Sequence, residues 1–586
     1  MSNEAAFLGV ESSVLGLRWR GPEPALERLT EAMAQQTRLP RAVCAVLARN
    51  GVSPENAESY LAPSLRDLLP DPRSLRDMER AAARLVAAVN HEESVAIFAD
   101  YDVDGGASAA LLICWLRSMG RNATLYVPDR IEEGYGPNVS AMEMLAQTHD
   151  LILCVDCGTV SHEPIAAAQG ADVVVIDHHL GAETLPPALA VVNPNRQDES
   201  GDLGHLCAAG VVFLLLVEAN RQLRGRNTQG PDLMSLLDLV ALATVADVAP
   251  LIGVNRAFVR QGLRVMAARN RVGLRALSDI ARLEAAPTAY HLGFVLGPRV
   301  NAGGRIGAAD LGARLLSCDD PAQAEALAER LELLNTERRE IEFAVRGEAM
   351  AQALAREDGG ALAWAAGEGW HPGVIGIAAA RLKETMARPA MVIALDGDEG
   401  KGSGRSIPGI DLGAAVQRLV REGLLLKGGG HRMAAGLTVA RTQLQTAMAR
   451  LSELLAQQGA GVANAASELR IDSALMPGAV TVDLIDRIEA AGPFGASAPA
   501  PRFAFPDMRI QSIRRMGETH LRLRFGDGQS NTLDAVAFGA FESDLGPEIA
   551  AAQGKRLHLA GKVEINQWGG RQSVQLRLDD AAIPGS

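Results

Sequence analysis

The chain has 586 residues, 48% of them hydrophobic and 22% charged, which is the profile of a globular protein of several domains at roughly 100–200 residues each. No run approaching the ~20 apolar residues of a membrane span lacks a charge or a breaker, so no transmembrane helix is expected. Met1 to Val10 carries no basic stretch ahead of an apolar core, which makes the cytoplasm the expected compartment. A net charge of −13 argues against a protein that coats nucleic acid non-specifically, although a local basic groove remains compatible with it.

Residues 1 to about 70 read as helical, closed by a loop containing Pro63, Pro70 and Pro72. From about 75 to 250 strands and helices alternate. Arg76 to Asn90 is an amphipathic helix, Ser94 to Ala99 a short apolar strand, and Ala107 to Met119 a helix rich in Ala and Leu. Ala123 to Pro128, Leu151 to Val155 and Val173 to Ile176 are further apolar runs. This alternation predicts a parallel sheet covered on both faces, with ligands gathered at the carboxyl ends of its strands. Cys154 and Cys157 form a CxxC at the end of one such strand, but there is no second CxxC, so they read as buried strand cysteines and not as a zinc or redox site. Residues 320 to about 355 are charged and helical, suiting a long helix between two lobes. A second α/β region runs from about 358 to 460 and contains the glycine run Lys427 to His431. After an Ala/Gly-rich stretch at 459–466, His520 to Phe525, Arg556 to Leu559 and Ser573 to Leu578 alternate like strands of a small β-barrel of OB type.

Acidic residues and histidines collect where these strands end. The first strand runs into Asp100-Tyr-Asp102-Val-Asp104-Gly-Gly, Asp156-Cys-Gly-Thr follows the strand at 151–155, and Asp177-His178-His179 follows Val173 to Ile176. Asp247 lies in an otherwise apolar segment from Leu239 to Pro250, where an ionised carboxylate is costly unless paired or bound to a metal. Any one of these acids is explained by a helix cap or a salt bridge. Four at the ends of successive elements point to a cation site, and a mixed Asp/His set suits Mn²⁺ or Mg²⁺.

These residues also carry a family resemblance. Asp100-Tyr-Asp-Val-Asp-Gly, Asp156-Cys-Gly, Asp177-His-His and Thr244-Val-Ala-Asp-Val resemble successive motifs of the DHH phosphoesterases, in an order and spacing similar to the RecJ family. Gly297 to Arg305, Gly369 to Gly376, Gly402 to Ser406, Gly428 to His431 and Glu564 to Arg571 extend the resemblance over about residues 75 to 580. It implies an α/β protein with five parts: an N-terminal helical segment (1–74), a parallel-sheet DHH catalytic domain (75–318) and a linking helix (319–356). A second, nucleotide-binding α/β lobe (357–460) and a C-terminal β-barrel OB-fold (467–586) complete it.

The resemblance implies two Mn²⁺ or Mg²⁺ ions held by Asp102, Asp104, Asp156, His178 and Asp247, with Asp156 as the bridge. Asp100 and His179 fall beside them, as further ligands or as groups that support a ligand or touch phosphate. Asp156, His178, His179 and Arg299 would carry the catalytic work. Arg299, Asn301 and Arg305 near the ions, and Ser403, Arg405, Ser406 and His431 across the cleft, would hold the substrate, and His371 either faces the same cleft or packs beside Trp370. Trp568 is a stacking candidate or a barrel core residue. The implied activity is 5′→3′ exonuclease action on single-stranded DNA in recombination and repair, releasing nucleoside 5′-monophosphates beside a single-strand binding protein and a RecQ-type helicase. A DHH phosphodiesterase of short oligonucleotides or cyclic dinucleotides is the alternative, separated by whether a long strand is degraded. A binding protein on a degenerate hydrolase core is a third reading, separated by turnover.

Overall fold

The computed structural model describes residues 5–130, 132–356, 360–459, 468–568 and 571–585. It divides into two compact units, one formed by Leu69–Pro250 with Phe258–Asn464, the other by Met1–Leu68, Leu251–Ala257 and Ala465–Ser586.

The larger unit contains two sheets. The first has five parallel strands, β1 (Val95–Ala99), β2 (Ala123–Tyr126), β3 (Leu151–Val155), β4 (Asp172–Ile176) and β5 (Ala190–Val192), in the order β2-β1-β3-β4-β5. Every residue of β1 and β3 is buried, as a parallel sheet covered on both faces requires. Phe98, Ile152, Cys154, Val173 and Val175 face the helices Val139–Ala146 and His162–Ala167 on one side. Helix α1 (Val103–Ser118) packs with α2 (Ala208–Gly225) and α3 (Leu237–Ala246). Strand order reverses between β1 and β3, where such sheets open a crevice at their carboxyl edge. The sequence reading missed β5, which has only three residues, and began α1 four residues too late. Cys154 and Cys157 are buried free thiols.

Helix α4 (Gly297–Ile306) leads to α5 (Pro321–Ala355), which spans 35 residues. Asp320 starts α5 by accepting the Gln323 N–H, with a proline in the first turn. The second sheet follows, with β6 (Ala363–Glu368), β7 (Ala390–Asp396), β8 (Glu399–Arg405), β9 (Lys427–His431) and β10 (Ala434–Ala440) in the order β9-β10-β8-β7-β6. Only β6 and β7 are parallel to each other. α5 and α6 (Pro372–Met386) cover one face, through Val345, Ala349, Val374, Ile375 and Leu382. Helices Leu412–Arg421 and Leu444–Gly459 cover the other.

In the smaller unit, β11 (Phe503–Met516), β12 (His520–Gly526), β13 (Thr532–Ala537), β14 (Arg556–Trp568) and β15 (Arg571–Ala582) form a closed barrel. Its strand order is β11-β12-β13-β15-β14, and β14 pairs back onto β11. Alternation puts Phe503, Phe505, Phe525, Leu559 and Leu576 inside. The N-terminal segment belongs to this unit. Arg18–Arg20 pairs in parallel with Glu468–Arg470, and the fully buried Trp19 donates its indole N–H to Asp580 at 2.9 Å. Most of the Ala/Gly-rich stretch 459–466 and the side chain of Trp568 lie outside the described residues. Among the described residues no helix is long and apolar enough to cross a membrane.

Candidate metal centre and cleft

Asp102 starts α1. Its Oδ1 accepts the N–H groups of Asp104 and Gly105 at 2.8 and 3.2 Å, so the carboxylate that caps the helix also stands at the end of β1. A Cβ on Gly105 would lie 2.4 Å from the Asp100 carbonyl oxygen, so glycine lets the helix begin this close to the strand. Asp104 falls inside the first turn of α1. Its two oxygens accept the N–H groups of Ala208 and Ala209 at 2.7 and 2.8 Å, at the N-terminus of α2, where the helix dipole favours negative charge. Asp156 follows β3 in a left-handed conformation, φ 61°, unusual for a residue with a side chain and common at functional turns.

The histidine ring joins these acids. His178 Nε2 lies 3.2 Å from Asp156, 3.7 Å from Asp104 and 3.9 Å from Asp247. Three sets result, with ligand atoms in each within 4.8 Å of one another: Asp100–Asp102–Asp156, Asp104–His178–Asp247 and Asp156–His178–His179. Asp156 is common to the first and third. Asp100 Oδ1 and Asp156 Oδ1 are buried with no hydrogen-bond partner among the described residues.

The electrostatics call for a cation. Burial first, and neighbouring carboxylates second, push Asp100 and Asp156 well above the usual carboxylate range. Asp104 is raised by burial, and Asp247 goes to about 8 through burial and then Asp104 and Asp102. Asp177 behaves differently. Burial opposes its charge, yet hydrogen bonds from His179 and Thr159 prevail and hold it below the ordinary value. His179 in turn rises to about 9 against its own burial, through its contact with Asp177. Crowded carboxylates with unpaired buried oxygens and one imidazole fit hard divalent cations, and no cysteine stands in any of the three sets.

Several supporting residues escaped the sequence reading. Asn193 donates to Thr159 Oγ1 and to the His179 carbonyl, both at 2.8 Å, and Asn195 donates to the His178 carbonyl at 2.6 Å. They follow β5, so a polar Asn-Pro-Asn after an apolar run was the available signal. Tyr135 donates to the Asp156 carbonyl at 3.0 Å and lies 3.0 Å from His179 Nδ1. Nothing in the sequence ties it to either residue.

A cationic wall stands nearby. Arg305 donates to the Gly373 carbonyl at 3.0 Å. Burial, then Arg130 and Arg338, lower it to about 10, which leaves it charged at neutral pH. Burial and Arg130 likewise lower Arg405 and His371. Arg130, 5.2 Å over the ring of Tyr101, is thus the shared neighbour that sequence reasoning overlooked. Arg405 holds Ser403 Oγ at 3.2 Å, and a Cβ on Gly376 would crowd both side chains. His371 caps α6, its Nδ1 accepting the Gly373 N–H at 3.0 Å. Arg305, Ser403 and Arg405 therefore gather with Arg130 and His371.

Other expected substrate residues are engaged elsewhere. Arg299 pairs with Glu332 and donates to the Val295 carbonyl at 2.7 Å. Asn301 accepts the Val103 N–H at 3.1 Å and so braces the start of α1. Ser406 donates to the Ile410 carbonyl at 2.9 Å, and His431 is exposed on β9, its Nδ1 accepting from Met433.

Residues 94–244 match the DHH family, N-terminal domain, residues 358–457 the DHHA1 domain, and residues 471–580 the RecJ OB domain. The chain is 39% identical over 574 residues to the single-stranded-DNA-specific exonuclease RecJ of Dickeya dadantii, covering 93% of this chain and 97% of that one. It is 36% identical to the protein of the same name from Escherichia coli, covering 88% and 92%. The crystal structure of Thermus thermophilus RecJ in complex with Mn²⁺ superposes with a TM-score of 0.79 at 30% identity, covering 97% of this chain and 80% of that one. The corresponding Mg²⁺ complex gives 0.72. A likeness that runs through the barrel, both α/β lobes and the N-terminal segment, at these identities, places the chain in the RecJ family.

Proposed function

We propose that the chain is a Mn²⁺- or Mg²⁺-dependent exonuclease that degrades single-stranded DNA from its 5′ end and releases nucleoside 5′-monophosphates. The observation that carries this reading is Asp156, a buried carboxylate common to two ligand sets, with an oxygen that accepts no hydrogen bond among the described residues. Asp100, Asp102, Asp104, Asp156, His178 and Asp247 would hold two ions in the catalytic domain (75–318). Bound there, the ions supply Lewis acidity at the scissile phosphate and make a neighbouring water more acidic.

The chain's own residues position everything else. Asp104 is fixed by two backbone amides of α2, and His179 is oriented by Asp177. Arg305, Ser403 and Arg405, with Arg130, would supply donors for a terminal phosphate. Arg299, Asn301 and Ser406 would serve the substrate site by bracing the elements around it, and the exposed His431 would face the strand. Water adds to phosphorus and the 3′ oxygen leaves with a proton, so the shortened strand again begins with a 5′-phosphate. A terminal phosphate held beside the ions therefore sets the polarity and is renewed at each turnover. The relatives' names, single-stranded-DNA-specific exonuclease, support the same substrate. The cytoplasm is the proposed compartment and recombination and repair the setting. A single-strand binding protein and a RecQ-type helicase are the proposed partners, on the strength of the family resemblance.

The test uses long single-stranded DNA with an internal label, Mn²⁺, and the 5′ or 3′ end blocked in turn. Mononucleotide release that stops only with the 5′ block is expected, and Asp156→Ala should lower the rate by about 10³-fold, the scale seen when a group stabilising the transition state is removed. Release unaffected by the 5′ block would overturn the polarity. Intact long DNA with consumed di- to tetranucleotides would favour a small-substrate phosphodiesterase.

A further inference from the structure

Aromatic residues make up only 4% of this chain, and among the described residues five large aromatic side chains are exposed: Tyr135, Tyr290, Phe294, Phe343 and Phe538. Two of these five stack on each other. The rings of Tyr290 and Phe294 lie 5.2 Å apart at an interplanar angle of 24°, and they are 58% and 71% exposed. On the same helical segment Leu292 and Leu296 are fully buried, so the segment has a genuine inner face and the two rings stand on its outer one. His291 meets the edge of Tyr290 at 5.8 Å and is itself fixed by Thr288, whose N–H it accepts at 3.0 Å. An aromatic pair four residues apart stabilises a helix only slightly, which does not account for so much open ring surface.

The setting adds a second observation. Residues Leu292–Leu296 form a π-helical turn, a form concentrated at functional sites. The turn is pressed onto the last turn of α3: a Cβ on Gly293 would meet Val245 Cγ1 at 3.3 Å, and one on Gly297 would meet Ala246 Cβ at 3.2 Å. The next residue of the chain is Asp247, whose carboxylate stands with Asp104 and His178. The segment that carries the stacked pair is therefore packed against the two residues that precede Asp247 in the chain.

We propose that Tyr290 and Phe294 form a stacking platform for an unpaired nucleobase of the strand being cut, beside the metal centre. The inference rests on the exonuclease reading and adds a base subsite to it. Every base offers a π face, so the platform tolerates any sequence, whereas a base inside a duplex is already stacked and paired. It thus binds the strand and favours single strands without reading sequence.

The experiment measures binding by anisotropy and steady-state cleavage for wild type, the Tyr290→Ala/Phe294→Ala double variant, Phe294→Leu and Phe294→Tyr. The ligand is an oligothymidylate with Ca²⁺ for binding and Mn²⁺ for cleavage, and a set of strands carries one abasic site moved along its length. The double variant and Phe294→Leu are expected to raise Kd and KM roughly tenfold, with kcat within about twofold of wild type. Phe294→Tyr keeps wild-type values. An abasic site at one position should weaken wild type by a similar factor and leave the double variant unaffected. Phe294→Leu keeps the apolar volume, so it reports on the ring even if the double variant fails to fold. Unchanged Kd in Phe294→Leu, or equal sensitivity of variant and wild type to every abasic site, overturns the platform while leaving the nuclease standing. A wild-type protein that neither binds nor cuts the strand overturns the exonuclease reading and the platform with it.

Discussion

Asp156 shows how much of the site is decided by single residues. Its backbone sits at φ 61° while its carboxylate is buried among Asp100, Asp102, Asp104 and Asp177. Burial and like charge lift its pKa and those of Asp100 and Asp104, and bring Asp247 to about 8. In the ion-free protein Asp247 therefore holds a proton at neutral pH that a cation must displace. The sign follows from the direction of the shift. A carboxyl with a raised folded-state pKa stabilises the fold while it is protonated, and that contribution is lost as pH rises through the folded pKa. Ion-free protein should therefore melt at progressively lower temperature as pH rises from the ordinary carboxylate range to about 8 and level off above it, and Mn²⁺ should restore most at the upper end. Mn²⁺ affinity should correspondingly fall as pH drops below about 8. Calorimetric titration at neutral pH in two buffers of different ionisation enthalpy should reveal net proton release. Binding without proton exchange would mean that the carboxylates are already ionised.

At the scale of elements, the supports were harder to read than the carboxylates and histidines they brace. Asp100, Asp156 and Asp177 each follow an apolar run, so the strand pattern marks them, and alternation with helices gives the parallel sheet. The start of α1 was misplaced because its capping residue is itself one of the acids, and Gly105-Gly106 reads as loop. Asn193 and Asn195 went unnoticed because β5 has only three residues. Their role is nonetheless concrete: three of their side-chain hydrogen bonds fix Thr159 and the carbonyls of His178 and His179. Groups that orient ligands typically change metal affinity by about 10–100-fold. Asn195→Ala should weaken Mn²⁺ binding within that range, and saturating Mn²⁺ should recover most of the activity. A loss of kcat that added metal does not recover would show that the pair acts on the substrate instead.

Over the whole molecule, the contacts least visible in the sequence are the most distant ones. Trp19 bonds to Asp580 across 561 positions, and Arg49 pairs with Asp472 at 2.8 Å, so the N-terminal segment and the barrel share one unit. Composition and periodicity mark both stretches but cannot pair them. Charge works similarly. A net charge of −13 conceals Arg130, Arg305 and Arg405, with Arg130 close enough to help depress the pKa of the other two after burial. If binding depends on these few guanidinium groups and not on a broad basic surface, the salt dependence should be shallow. Single strands lose about 0.7 in the slope of log K against log salt for each phosphate neutralised, so a slope of about −2 to −3 is expected for the wild type. Arg405→Ala should reduce the slope by about 0.7. It should also narrow the preference for a 5′-phosphorylated over a 5′-hydroxyl strand, because both effects come from one contact. A slope steeper than about −5 would mean that many more phosphates are held, and an unchanged preference in the variant would move the terminal phosphate away from Arg405.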